Sequence, residues 1–120
     1  MRETLEDLAK RHATPRAFLR GWARVMAGWM EESEFRSGCP IATTLLETAP
    51  HSPRITAAGE RALDGWIEVV AGVLARDGTP PRDARTRAQL VVSAMEGALV
   101  LARVRRSTRP ILDVAKMAGD

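Results

Sequence analysis

The residue of this 120-residue sequence with the most chemistry to account for is Glu96, which interrupts its most apolar stretch, Ala88 to Ala102. A carboxylate inside such a stretch needs a partner or a shifted pKa, because burial penalises its charged form. Gln89, Glu96 and Arg103 stand at i, i+7 and i+14, so on a helix they fall on one narrow line. That line suits a polar rail that selects a ligand by hydrogen bonding or charge. A thin solvent-facing seam on an otherwise buried helix accounts for the same spacing.

A second group is apolar and bulky. Trp22, Trp29 and Trp66, with Phe18, Met26, Met30 and Met95, have the character of an adaptable pocket wall, and Val70 and Leu99 share their faces. Plain core packing asks for the same residue types. Placed between the helices that begin at Pro15, Pro53 and Pro81, the candidate lining is Phe18, Trp22, Met26, Trp29, Trp66, Val70, Met95 and Leu99, with Glu96 and Arg103 as its polar members.

Cys39 and His51 raise the question of a metal or a nucleophile. There is no other cysteine, the only other histidine is His12, and no ligand spacing is present. A Cys-His pair also needs a third group to orient its base. Cys39, next to Pro40, is better explained as a small buried residue at a helix start. The nine glycines show neither G-x-G-x-x-G nor G-K-[ST] spacing, so no nucleotide cofactor is implied. The expectation is a protein that is not an enzyme and holds no metal or cofactor.

The elements that position these residues are punctuated by proline. Thr14-Pro15, Ser52-Pro53, Thr79-Pro80-Pro81 and Thr108 to Pro110 each resemble a helix start. The segments between them have helical spacing, and no sustained two-residue alternation argues for strands. About six helices are expected. They are a short one over Arg2 to His12, a second from Pro15 to about Glu34, a short one from Ile41 to about Thr48, a long one from Pro53 to about Arg76, another from Pro81 to about Arg106, and a last one from Pro110 to about Ala118. In the second, Phe18, Trp22, Val25, Met26, Trp29 and Met30 form the apolar stripe. In the fourth, Leu63, Trp66, Ile67, Val70, Val73 and Leu74 face inward, and Gly78 ends the helix.

The helix from Pro81 is unusual because its apolar surface wraps most of its circumference, so it needs cover on two sides. One side, with Val92, Met95 and Leu99, suits the domain's own core. The opposite arc, Leu90, Ala94, Gly97 and Leu101, has small members that admit a second backbone, and it is the candidate dimer face together with Ile111, Val114 and Met117 of the last helix. Two such helices from each of two subunits make a four-helix bundle about a two-fold axis. The fold class is therefore all-α: an antiparallel helical bundle forming one domain over residues 1–120.

Composition is consistent with this. Apolar residues make up 45% and charged residues 28%, an ordinary globular balance. The net charge is +3, and sixteen of the eighteen basic residues are arginines scattered among fifteen acids. The nearest approach to a basic cluster is Arg103, Arg105, Arg106 and Arg109, where a helix C-terminus already favours cations. A lone cysteine excludes an intrachain disulfide, the start MRETLEDLAKRH lacks the apolar stretch of a secretory signal, and no stretch reaches the roughly 20 apolar residues that span a bilayer. A cytoplasmic protein without a membrane partner is expected.

The run Phe35-Arg-Ser-Gly-Cys-Pro-Ile-Ala, the proline-started helix with its central Trp66, and Ser93-Ala-Met-Glu-Gly-Ala-Leu-Val-Leu-Ala-Arg together resemble the C-terminal domain of TetR-family regulators, in the subgroup typified by LmrA and YxaF. The resemblance covers about Pro15 to Met117. It implies a homodimer joined through its last two long helices, and a pocket for a small hydrophobic effector among the middle helices. It also implies a transcriptional regulator, more often a repressor, that meets operator DNA through an N-terminal helix-turn-helix domain. Only Arg2 to His12 resembles the end of the helix that links to such a domain, so no DNA-reading residue transfers to this chain. The alternative is a purely structural helical dimer with a filled core and no effector.

Overall fold

Proline and its preceding polar residue set the helix starts. Thr14 caps α2 (Pro15–Glu32) by accepting a hydrogen bond from the Ala17 N–H at 3.2 Å, and Ser52 caps α3 (Pro53–Arg76) by accepting one from Ile55 at 3.3 Å. At α4 (Pro81–Arg105) the cap position is Pro80, with no side-chain cap bond, so Thr79 does not play the part its sequence position offers. α1 (Arg2–Arg11) and α5 (Arg109–Gly119) complete the set. The computed structural model describes residues 1–36, 38–39 and 51–119, and no strand occurs among them. The short helix expected over Ile41 to Thr48 lies outside the described residues, among which there are five helices.

The helix ends are built as firmly as the starts. α3 closes with Gly78 at φ 108°, the Thr79 N–H donating to the Leu74 carbonyl and the Gly78 N–H to the Ala75 carbonyl, each at 3.0 Å. That pair of bonds makes a Schellman motif around a residue free to adopt positive φ. α2 stops at Glu32, earlier than its apolar period suggests, because Glu34 and Phe35 both turn to positive φ. α4 ends on Arg106 in the left-handed region, with the Ser107 N–H donating to Ala102 O at 3.1 Å.

Packing pairs α2 with α5, α3 with α4 and α4 with α5, while α1 lies against α3 and α2. One continuous core results. It holds Phe18, Trp22, Met26 and Met30 of α2, Trp66, Val70, Val73 and Leu74 of α3, and Val91, Val92, Met95, Ala98 and Leu99 of α4, with Leu5, Leu8, Ile111 and Ala115 from the outer helices. Each large side chain so enclosed contributes roughly 1.5 to 3 kcal/mol. The buried face of α2 is wider than its expected stripe, since Leu19, Ala23 and Ala27 are also covered. α5 lies along it, with Ala23 sharing a crevice with Leu112 and Ala115. At the stripe's far edge, Trp29 is 42% exposed.

α1 is fastened to α3 at both ends. The Arg76 guanidinium donates to the carbonyls of Ala9 at 2.9 Å and His12 at 2.7 Å, closing the C-terminal end of α1. At its other end Arg2 pairs with Glu68 at 3.5 Å and lies over Gly65, where a Cβ would come within 2.7 Å of its guanidinium. Replacing Arg76→Ala is expected to lower stability by about 1 kcal/mol in urea unfolding, the usual net worth of such bonds. Amide exchange should quicken in α1 before the rest of the core.

Candidate functional site

The site is organised by α4, whose successive residues turn by about 100°. Met95 is fully inside the core, Glu96 stands at its boundary, and a Cβ at Gly97 would meet open space. One helix thus presents an interior lining, a polar residue and an outer face within a single turn.

On the interior side, Phe18, Trp22, Met26, Trp66, Val70, Met95 and Leu99 are all buried in one cluster. Phe18 and Trp22 meet at a tilted angle, with ring centroids 6.3 Å apart. Trp29 stands apart from this group on the surface.

Glu96 is enclosed where its neighbours on the polar line are not. Gln89 and Arg103 are exposed, while Oε1 of Glu96 is buried without a hydrogen-bond partner. The cover comes from the turn after α2. The Cys39 thiol donates a hydrogen bond to the Glu96 carboxyl, and Arg103 passes about 4.0 Å from where a Cβ would stand at Gly38. Burial raises the Glu96 pKa above the ordinary 4.5, and the hydrogen bond from Cys39 offsets part of that rise. The rail expected from the sequence is therefore a single enclosed carboxyl flanked by two exposed polar residues. A second polar atom of the interior, the Trp22 Nε1–H, is likewise buried without an acceptor.

The contact between Cys39 and Glu96 had no signal in the sequence, because the two residues are 57 positions apart and no spacing rule relates them. Among the described residues, no three His, Cys, Asp or Glu side chains gather where they could share a metal ion, and no helix is long and apolar enough to cross a membrane.

On the outer side of α4, Leu90 is 68% exposed, and Leu101 and Gly97 are open as well, with Ala94 half-buried. Leu90, Ala94, Val114 and Met117 line one apolar groove between α4 and α5, to which Arg87 and Asp113 add charge. Ile111 does not belong to this face. It is fully buried in the core, because α5 turns that residue inward against its own subunit. Val100 and Val104 extend the bare surface and were not among the expected residues. Val104 lies seven residues beyond Gly97, on the same line as Leu90, so the helical period alone could have found it.

Comparison with known proteins now decides the family. Residues 15–117 match the family described as "Transcriptional regulator LmrA/YxaF-like, C-terminal domain". The chain belongs to this TetR family. Among curated proteins it is 37% identical over 84 residues to the uncharacterized HTH-type transcriptional regulators MT0206 and Rv0196 of Mycobacterium tuberculosis, from strains CDC 1551 and H37Rv. In each case the match covers 66% of this chain and 43% of the relative, so the chain spans less than half the length of the regulators it resembles. The matched span of the TetR-type domain contains α2 to α5, and with them Glu96 and the bare face of α4.

The raised pKa of Glu96 has a definite consequence for stability. The folded chain holds that proton more tightly than the unfolded chain, so ionisation costs nothing below pH 4.5 and costs progressively more as pH rises through the raised native value. Glu96→Gln is therefore expected to melt higher than the wild type at neutral pH. The advantage should shrink as pH falls and vanish below the ordinary glutamate range, as read by thermal melts of both proteins across that window.

Proposed function

We propose that this chain is the effector-binding and dimerising domain of a TetR-type transcriptional regulator, most simply a repressor, that responds to a small hydrophobic molecule. The observation that carries this reading is the two-sided apolar surface of α4. Val92, Met95 and Leu99 are spent on the chain's own core, while Leu90, Leu101 and Val104 stand bare, the last 78% exposed. A bare apolar stripe of that length marks an interaction surface.

The partner for that stripe is a second copy of the chain. TetR-family regulators act as dimers, and a two-fold pairing of α4 and α5 through Leu90, Ala94, Gly97, Leu101, Val114 and Met117 would form the four-helix bundle. The effector would lie between α2, α3 and α4, against Phe18, Trp22, Met26, Trp66, Val70, Met95 and Leu99. Glu96 would be its polar contact, with Trp29 and Arg103 at the outer edge. An effector that binds one arrangement of the two subunits better than another shifts the pair toward that arrangement. In the whole regulator that shift would alter how an N-terminal helix-turn-helix part meets operator DNA. Nothing in this reading needs a catalytic group, a cofactor or a membrane, and it places the protein in the cytoplasm.

A second reading, a structural dimer without an effector, is favoured by how completely Phe18, Trp22, Trp66 and Met95 are enclosed. A thermal-shift screen of hydrophobic drugs, flavonoids and acyl compounds separates the two. Stabilisation by several degrees is expected from at least one class, and a flat response to every compound at high concentration supports the structural dimer instead.

The dimer face has a sharper test. A side chain added at Gly97 meets nothing within the subunit, and an exposed helical glycine costs roughly 1 kcal/mol against other residues. Gly97→Arg should thus leave the monomer as stable or more so. Sedimentation equilibrium is expected to give a wild-type dimer that this variant converts to monomer, and a monomeric wild type at micromolar concentration would remove the case for the α4 interface.

A further inference from the structure

Among the described residues, two buried side-chain polar atoms are without partners, Oε1 of Glu96 on α4 and Nε1 of Trp22 on α2. A folded domain leaves few such groups, and each calls for an explanation. Their surroundings are specific. Trp22 is fully buried in the same cluster as Met26, Trp66 and Met95, the residue preceding Glu96. Among the described residues Glu96 makes no ion pair, and the hydrogen bond that its carboxyl receives there comes from a thiol.

We infer that the effector is an apolar molecule bearing a protonated amino group, and that Glu96 receives this ammonium by releasing the thiol of Cys39. The inference rests on the effector-binding reading above and specifies the chemistry of its ligand.

Three features carry it. The first is the donor that would be replaced. A thiol is a weak hydrogen-bond donor, whereas an ammonium offers several N–H groups to an ionised carboxylate in shorter, charge-assisted bonds. The exchange improves the bond already present and supplies Oε1 with the partner it lacks. The second is charge. Arg103, the cation on the same line of α4, makes no ion pair with Glu96, and its guanidinium lies about 4.0 Å from where a Cβ would stand at Gly38. The carboxyl sits at the boundary of an apolar interior, where burial is the larger influence on its pKa, and a cationic ligand removes the cost that burial places on its charged form. The third is the wall. Indole and phenyl faces attract cations, and the thioethers of Met26 and Met95 adapt to an irregular apolar body.

Oε1 is closed from solvent, and among the described residues the group bonded to the carboxyl is the thiol of Cys39, itself buried at the margin of the core. A carboxylate ligand would meet repulsion at Glu96, and a neutral alcohol would gain only an ordinary hydrogen bond.

The test is a calorimetric titration of the 120-residue chain with three probes of matched size, phenylbutylamine, phenylbutanol and phenylbutyrate, against wild type, Glu96→Gln and Cys39→Ala. The wild type is expected to bind the amine about tenfold more tightly than the alcohol, the difference that one charge-assisted bond supplies, and to bind the carboxylate most weakly. Glu96→Gln should erase the preference for the amine while still binding the alcohol, and Cys39→Ala should keep or strengthen it. Equal binding of amine and alcohol by the wild type, or a preference that survives in Glu96→Gln, overturns the inference and leaves the effector pocket standing. No binding of any probe at millimolar concentration by a chain that melts cooperatively overturns the pocket together with the inference. Should Glu96→Gln unfold below the assay temperature, the amine-to-alcohol ratio of the wild type decides alone.

Discussion

A helix that is apolar around most of its circumference cannot be left against water on either side, and α4 imposes that condition on the rest of this fold. Its inner arc is made for close approach. Ala84, Ala88, Ala98 and Ala102 are small and buried, and they let α3 and α5 lie near its axis while Val91, Val92, Met95 and Leu99 fill the space between. α2 is then positioned indirectly, by packing along α5 and closing the core with Phe18, Trp22 and Met26. The outer arc has no such cover within the subunit, and Leu90, Val100, Leu101 and Val104 stand exposed along it.

Glu96 is where the two arcs meet, and this explains its unusual state. A polar residue at the middle of either arc would face only carbon or only water. At the boundary one of its oxygens is closed from solvent without a partner, and the donor its carboxyl does meet is the weak one of a thiol. The raised pKa is the electrostatic expression of that geometry, since desolvation acts on the charged form and the thiol returns only part of the loss. The residue on one side of Glu96 belongs to the core and the residue on the other to the outer face. A change in the state of the carboxyl is therefore felt within one residue of both.

What could be anticipated from the sequence was whatever depends on local periodicity. The proline starts at Pro15, Pro53 and Pro81 and the Gly78 stop appear where the residues place them. The misplacements have a common cause, which is that period says which residues share a face and not what lies against that face. The sequence groups Ile111 with Val114 and Met117, yet Met117 stands about 120° around α5 from it, so Ile111 is enclosed with Ala115 while Met117 is 76% exposed. Trp29 continues the stripe of Trp22 and Met26 and is nevertheless 42% exposed, while Met30 beside it is buried. The seam of Gln89, Glu96 and Arg103 is not uniform, because its two ends are exposed and its middle has one oxygen closed from solvent and a carboxyl bonded by the Cys39 thiol.

The same limit applies to α1, whose residues show only a modest apolar side in Leu5, Leu8 and Ala9. Its place is set by contacts no local pattern contains. Arg76, at the very end of α3, captures the carbonyls of Ala9 and His12 across more than sixty residues of sequence, and Arg2 returns to α3 at Glu68 and Gly65. Gly21 on α2 admits the His12 ring and Leu8 to within about 3 Å of where a Cβ would be, so α1 is wedged between two helices that share the core with α4. α3 also supplies Trp66 and Val70 to the interior lining. Any displacement of that wall must therefore either carry α1 with it or break the two guanidinium bonds, and charge-assisted bonds to helix-terminal carbonyls make the first the less costly course.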